Sequence, residues 1–358
     1  MKRHPPRYQM GLSLIELMVA MLISLLLLGG VLQVFLSSKD LYRTNTAVAR
    51  VQEGGRFATE FLAFDIRQAG YKGDCLTPPL IHLDETSPEY QADLFDMSIA
   101  IRGWDDDTST DLLDTRLEKT DAVLVKHAGQ ASGATASNNT PVSASTINLD
   151  QTGGIPSGSL VLVADSKGCD LFQKTNQTNS NSLTRGSNGG SPGNKKGGAK
   201  KDWTHEYDQN MQILMLQSFI YYLDENIAGM PSLYRLNANN GAPTVEELVE
   251  GVIDLQVTYG IDNDGDRQAD AYVKAGTSNL AAAGEGNWSK VVSARVSLLV
   301  VSTETNVLDQ AQQFTYPAAA GITKEDDFAV YDNGVVTLKD NRVGQVFTTT
   351  VAIRNRLP

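Results

Sequence analysis

The stretch "GLSLIELMVAMLISLLLLGG", residues 11–30, decides how this chain is built. It is apolar almost throughout and carries one charge, Glu16. An acidic side chain at mid-bilayer costs about 2.5 to 3.5 kcal/mol on insertion scales, so its presence asks for a partner or a purpose. Residues 12–36 make 25 positions, about 37 Å as a helix, which is enough to span a bilayer. Lys2, Arg3 and Arg7 precede the run and would hold the amino terminus in the cytoplasm, sending the rest outward. A secretory signal peptide needs a small-residue cleavage site after its apolar run, and "SSKDLYRTNT" from Ser37 offers none. An ordinary anchor fits the length but leaves Glu16 unexplained.

The helical pattern continues past the membrane. "AVARVQEGGRFATEFLAFDIRQAGY" places Phe57, Phe61 and Phe64 at helical spacing, a stripe expected to lie under a sheet. From Leu12 to Ala69 one continuous helix would measure about 87 Å, the length of a spine, and Gly70 is its expected terminator. The pairs Gly29-Gly30 and Gly54-Gly55 each weaken it by about 1 kcal/mol per glycine relative to alanine. The second pair either lets the helix bend or lets the rest of the protein come close.

Beyond the helix the chain is polar, rich in Thr, Ser, Asn, Asp and Gly, a mix that favours strands joined by long loops. "AVLVKHA", "SLVLVA", "SFIYYL" and "SARVSLLVV" read as strands of an antiparallel sheet laid on the second half of the helix. The fold class expected is therefore α+β. Residues 176–201 read as an exposed, flexible insertion, and "NKKGGAKK" within them as a solvated basic loop. Net charge is −12, and −15 once Lys2, Arg3 and Arg7 are removed. Such a surface repels nucleic acid, which is not an expected partner. In an exported domain the two cysteines, Cys75 and Cys169, would pair and stabilise the fold by roughly 2 to 4 kcal/mol. The alternative is two buried thiols.

A basic leader ending at Gly11, followed by "LSLIELMVAMLISLLLL", resembles the class III signal of type IV pilins and pseudopilins. The resemblance implies that a prepilin peptidase cuts between Gly11 and Leu12 and methylates the new amino terminus at Leu12. Glu16 is then the fifth mature residue, where the family carries a glutamate thought to neutralise the terminal amine of a neighbouring subunit during assembly. Leu12 departs from the commoner phenylalanine. "VQEGGRFATEFLAFDIRQAGY", "LVLVADSKGCDLF", "FIYYLDENIAGMPSLYRL", "EELVEGVIDLQVTYGIDNDGD" and "VFTTTVAIRNRLP" look like segments of the PilW-type minor pilins, relatives of the J-type minor pseudopilins.

That resemblance implies a type IV pilin-like fold. Its parts are a leader (1–11), a transmembrane half-helix (12–36), an amphipathic periplasmic half (37–69) and a β-rich head (70–358). It also implies an inner-membrane subunit with a periplasmic head that later stands near the tip of a surface pilus and supports pilus biogenesis, twitching motility and adhesion. Its partners would be the prepilin peptidase, the inner-membrane assembly platform, the major pilin, other minor pilins and a tip adhesin. Glu16 places it inside the priming stack, because the terminal member characteristically lacks the acid. Two other readings stay open: a J-type pseudopilin of a type II secretion system, and a membrane-anchored calcium-dependent adhesin outside any filament.

One cluster invites a metal. Asp262, Asp264, Asp266 and Asp270 occupy positions 1, 3, 5 and 9 of an EF-hand-style loop, with Gln268 at the backbone-carbonyl position. Arg267 replaces the glycine at position 6, and Val273 stands where a bidentate glutamate would close the site. A structural Ca²⁺ and a plain hairpin turn both remain open. No other cofactor is implied. His82, His127 and His205 lack metal-ligand spacing and read as core or surface residues. No phosphate-binding loop, nucleophile elbow or dinucleotide fingerprint is present. Asp105 to Asp107 beside Trp104 could suggest glycosidase carboxylates, but a solvated loop explains them more simply. The chain is not expected to be an enzyme.

Overall fold

The structure is a computed structural model that describes residues 13–106, 112–113, 116–131, 133–187, 190–196, 202–277, 280 and 287–355. The expected leader and the cleavage and methylation positions Gly11 and Leu12 lie outside the described residues.

One helix, α1 (Leu14–Gln68), runs without interruption through both glycine pairs. Its 55 residues make it about 82 Å long. Gly70 follows at φ +79°, the left-handed conformation expected just past a helix end. Large apolar side chains from Leu14 to Leu36 are exposed. Among the described residues α1 is the one helix long and apolar enough to cross a membrane.

The helix buries a stripe in which small residues, Ala47, Gly55 and Ala58, are interleaved with Val51, Leu62 and Ile66. The expected aromatic stripe does not perform this task. Phe57, Phe61 and Phe64 are 43%, 38% and 58% exposed. Small residues let the sheet approach the helix axis more closely than phenylalanines would, and at Gly55 the approach is tight. A Cβ built there would stand 2.1 Å from Phe347 Cε2. The second glycine pair therefore serves close approach, with no break in the helix.

After α1 the chain forms β1 (Leu80–Ile81), a short helix α2 (Ala92–Phe95), β2 (Ile101–Trp104), β3 (Ala122–Ala131), β4 (Thr135–Ala136) and β5 (Thr146–Gln151). Next come β6 (Leu160–Asp165), β7 (Gly168–Gln173), β8 (Ser182–Thr184), β9 (Gln212–Glu225), β10 (Pro231–Asn237) and β11 (Thr244–Glu250). The last third holds β12 (Val252–Ile261), β13 (Ala271–Val273), β14 (Val291–Val301), β15 (Gln313–Thr315), β16 (Thr323–Glu325), β17 (Ala329–Asp332), β18 (Val335–Leu338) and β19 (Gly344–Ala352).

An eight-stranded sheet runs β1-β7-β6-β9-β10-β11, and β3 carries β2 onto β9 as a branch. A second sheet, β13-β12-β14-β19, lies on α1 through β14 and β19. A small sheet, β15-β18-β17-β16, caps its outer face, and β4-β5-β8 forms a satellite. All pairings are antiparallel except β1 with β7. The class is α+β, a long amino-terminal helix against antiparallel sheet.

Burial follows strand alternation. Leu255, Val257 and Tyr259 of β12, with Ala294, Val296, Leu298 and Val300 of β14, close a core over Ala58, Leu62 and Ile66. A disulfide joins Cys75, shortly after the helix, to Cys169 on β7, with Cα atoms 5.6 Å apart. The segment read as an exposed insertion is partly built into the head. It contributes β8, and its Arg185 and Asn194 are buried. Within the basic stretch, Asn194 exchanges hydrogen bonds with the Gln173 backbone at 2.8 Å, and Lys195 pairs with Glu85 at 2.6 Å. Those two residues are anchors where a solvated loop was expected; residues 197–201 lie outside the described set.

Candidate functional site

The start of α1 holds the residue that the sequence singles out. Ser13 is the N-cap, and its side chain accepts a hydrogen bond from the Glu16 amide at 3.2 Å. The Glu16 carboxylate reaches back and accepts from the Ser13 amide at 2.9 Å and from the Ser13 hydroxyl at 3.1 Å. This reciprocal arrangement is a capping box, and it satisfies two of the donors that any helix start leaves orphaned. The acid also sits at the positive end of the helix dipole. The signal was present in the sequence as S-x-x-E before an apolar run, and the reading of Glu16 as an acid without local support overlooked it. In the single subunit Glu16 already has donors. A neighbouring amine would add a charge, which the cap does not supply.

Glu16 stands on the membrane-length part of α1, while the head grips the other half. That grip is partly polar. Asp65 is buried on α1, where it accepts from the Tyr221 hydroxyl at 2.5 Å and faces His127 Nε2 at 3.4 Å. Burial, then the Asp65 charge, pushes the Tyr221 phenol well above its ordinary pKa, so it stays a donor. Beside this knot an open trough of about 1100 Å³ runs between α1 and the face of the eight-stranded sheet, with Phe57, Phe61 and Phe64 along one wall.

The acidic hairpin between β12 and β13 brings three of its four expected ligands together. Carboxylate oxygens of Asp262, Asp264 and Asp270 lie within 4.8 Å of one another. Asp266 is outside that group and accepts from the Gln268 amide at 2.7 Å. The loop's own amides engage the same oxygens: Gly265 and Arg267 donate to Asp262 at 2.6 and 2.9 Å, and Asn263 donates to Asp270 at 2.7 Å. Arg267, at φ +69°, takes the left-handed position where the motif has glycine. The donor set fits Ca²⁺ only in part: three clustered acids, one acid turned away, and Val273 paired into β13 where a bidentate ligand would be needed.

Several other titratable groups form structural pairs. His82 bonds Asp170 at 2.7 Å, and His205 bonds Asp165 at 2.8 Å. Tyr207 also donates to Asp170, at 2.6 Å, and Arg185 stacks on Trp203 at 4.2 Å beside them. Asp106 is exposed, as a solvated loop would have it, whereas Asp105 is half-buried and built into the head. They cluster with Asp121, which is fully buried and accepts from the Val257 amide at 2.6 Å, while Lys274 pairs with Asp105 at 3.0 Å. Burial, then the Asp105 charge, pushes the Asp121 carboxyl well above the usual range. Asp107 lies outside the described residues.

Two family matches complete this picture. Residues 6–32 match the prokaryotic N-terminal methylation motif. Residues 220–355, from β9 to the end of β19, match the type IV pilus-assembly protein W family. Over these two stretches the chain is similar to the PilW-type minor pilins. Neither the curated proteins nor the solved structures give a match. Both matches lie in one chain: the methylation motif runs into α1, and strands of the second match, β14 and β19 above all, pack on α1. The matched family is a pilus-assembly component and not one known for catalysis.

Proposed function

We propose that this chain is a PilW-type minor pilin that waits in the inner membrane with its head in the periplasm. It then joins sibling minor pilins to prime type IV pilus assembly, and comes to rest near the filament tip beneath a tip adhesin. Pilus biogenesis, twitching motility and adhesion depend on it in this reading, and it carries no catalytic activity. The observation that carries the proposal is the register of the amino terminus. Gly11, Leu12 and Glu16 fall within the matched N-terminal methylation motif, and Glu16 lies on a helix of membrane length; this supports cleavage between Gly11 and Leu12, methylation at Leu12 and an assembly role for Glu16. Cleavage after Gly11 places the new amine of each subunit one residue before the Ser13 cap, where the Glu16 of a neighbour would meet it. An opposite charge offsets much of the cost of keeping both groups in an apolar environment.

Replacing Glu16 by Gln separates assembly from local capping. The variant should insert and be cleaved, yet enter sheared pili at a small fraction of the wild-type level, whereas Ser13→Ala should lower helix stability only by about 1 kcal/mol and assemble. Normal fibres carrying Glu16→Gln would overturn the proposal. A defect in Ser13→Ala as deep as that of Glu16→Gln would do the same, by assigning the acid to capping alone.

For the acidic hairpin we propose that the turn closes through its own amides. Ca²⁺, if it binds, would be a structural ion on Asp262, Asp264 and Asp270. Calorimetry with millimolar Ca²⁺ should give little heat and no rise in melting temperature. A saturable isotherm lost in Asp264→Asn would establish the ion instead.

A further inference from the structure

Between the outer face of the second sheet and the turn Pro317–Ala319 lies a cavity of about 480 Å³. Its position follows from alternation: with Leu255, Val257 and Tyr259 in the helix-side core, Gln256 and Thr258 take the opposite face of β12. Arg295 and Ser297 of β14 and Thr348 of β19 extend the same polar face, and Pro317 and Ala318 close it from the small sheet. Its volume is that of a small-molecule site.

Two observations give the cavity a chemistry. First, Gln256 is 3% exposed, and its Oε1 has no hydrogen-bond partner, although its amide nitrogen donates to Asp254 at 3.0 Å. A buried carbonyl left unpaired is costly, so a donor from a ligand would be worth more there than on the surface. Second, Arg295 has no acidic partner among the described residues. Its guanidinium is held over the Tyr272 ring at 4.2 Å, and its Nε donates to Thr350 at 3.4 Å. That fixes the fork while leaving its terminal nitrogens for a planar anion. The other cation of the lining, Lys274, is already paired with Asp105.

We propose that this cavity binds a small hydroxylated carboxylate, the chemistry of an acidic sugar residue. Arg295 grips the carboxylate, Gln256 Oε1 accepts a ligand hydroxyl, and the hydroxyls of Thr258, Ser297 and Thr348 supply the adaptable remainder. One unpaired guanidinium matches one negative charge. A dianionic phosphate would bring a second charge close to Asp105 and Asp254. The proposal stands apart from the role of the chain in the pilus.

Calorimetric titration of the full-length chain in detergent micelles tests it, with sodium glucuronate, glucose and inorganic phosphate as probes. Glucuronate should bind saturably, at least about tenfold more tightly than glucose or phosphate. Arg295→Gln, an exposed position whose melting temperature should be unchanged, should weaken glucuronate by about tenfold or more. Arg295→Lys should recover only part of that loss, because it keeps the charge without the fork. Absence of saturation, equal binding by Arg295→Gln, or tighter binding of phosphate or glucose would each overturn the assignment.

Discussion

Asp254 sits fully buried on β12, with Oδ1 taken by Gln256 and Oδ2 lacking a hydrogen-bond partner of normal geometry. Loss of solvent pushes its pKa up to about 6, and the Lys324 charge pulls only partly the other way. In the unfolded chain it titrates near 3.9. At pH 8 the acid is ionised in both states, and folding bears the cost of burying the charge. As pH falls below about 6 the folded protein takes up a proton first, and the cost shrinks until the unfolded chain also protonates near 3.9. Asp254→Asn should therefore raise stability by about 1 to 3 kcal/mol at pH 8 and change little at pH 4. Denaturant unfolding at the two pH values measures this, and an equal loss at both would show that the charge is not the source of the cost. His82 works in the opposite direction. Desolvation lowers its pKa despite Asp170, so its contribution is complete above the unfolded value near 6.5 and is lost on acidification. The two groups oppose each other in the same window, and only the single variants separate them.

At the scale of elements, the legible parts were those whose physics is local. The apolar run, the terminator at Gly70 and the strands around "SFIYYL" and "SARVSLLVV" declare themselves through periodicity and β-branched content, and they correspond to α1, β9 and β14. The capping box is equally local, S-x-x-E ahead of an apolar run, but the charge of Glu16 inside that run masks its place as N3 of a helix. The helix face was not legible. Phe57, Phe61 and Phe64 outweigh Ala47, Gly55 and Ala58 on any hydrophobicity count, yet the sheet packs on the face that carries those small residues with Val51, Leu62 and Ile66, where the approach at Gly55 is tight. The acid cluster of Asp105, Asp106 and Asp121 was hidden for another reason. Asp121 joins it only through the pairing of β2 with β3, where Trp104 stands opposite Ala122. The cavity beneath the turn Pro317–Ala319 depends likewise on a separate small sheet folding back over the second one, a contact between segments far apart in the chain.

The whole molecule is a stalk and a head, and the joint between them lies along the second half of α1. Two of the contacts by which the head holds the stalk there differ in kind. Near Asp65 the contact is a hydrogen-bonded knot, and near Gly55 it is bare proximity to Phe347 of the last strand. Both ends of the family match therefore converge on the helix, because β19 is the strand that touches it most extensively. At Gly55 there is no room for even a methyl group unless the ring moves. Gly55→Ala should cost about 1 to 3 kcal/mol through overpacking. Phe347→Ala should cost a comparable amount by opening a gap under a half-buried ring. The two substitutions fill and empty the same space, so the double variant should lose clearly less than the sum, with a coupling of about 1 kcal/mol or more. Denaturant unfolding of the four proteins in detergent measures that cycle. Strict additivity would mean that the head is not seated on the helix at Gly55, and the joint would then rest on the Asp65 knot and on the core over Ala58, Leu62 and Ile66.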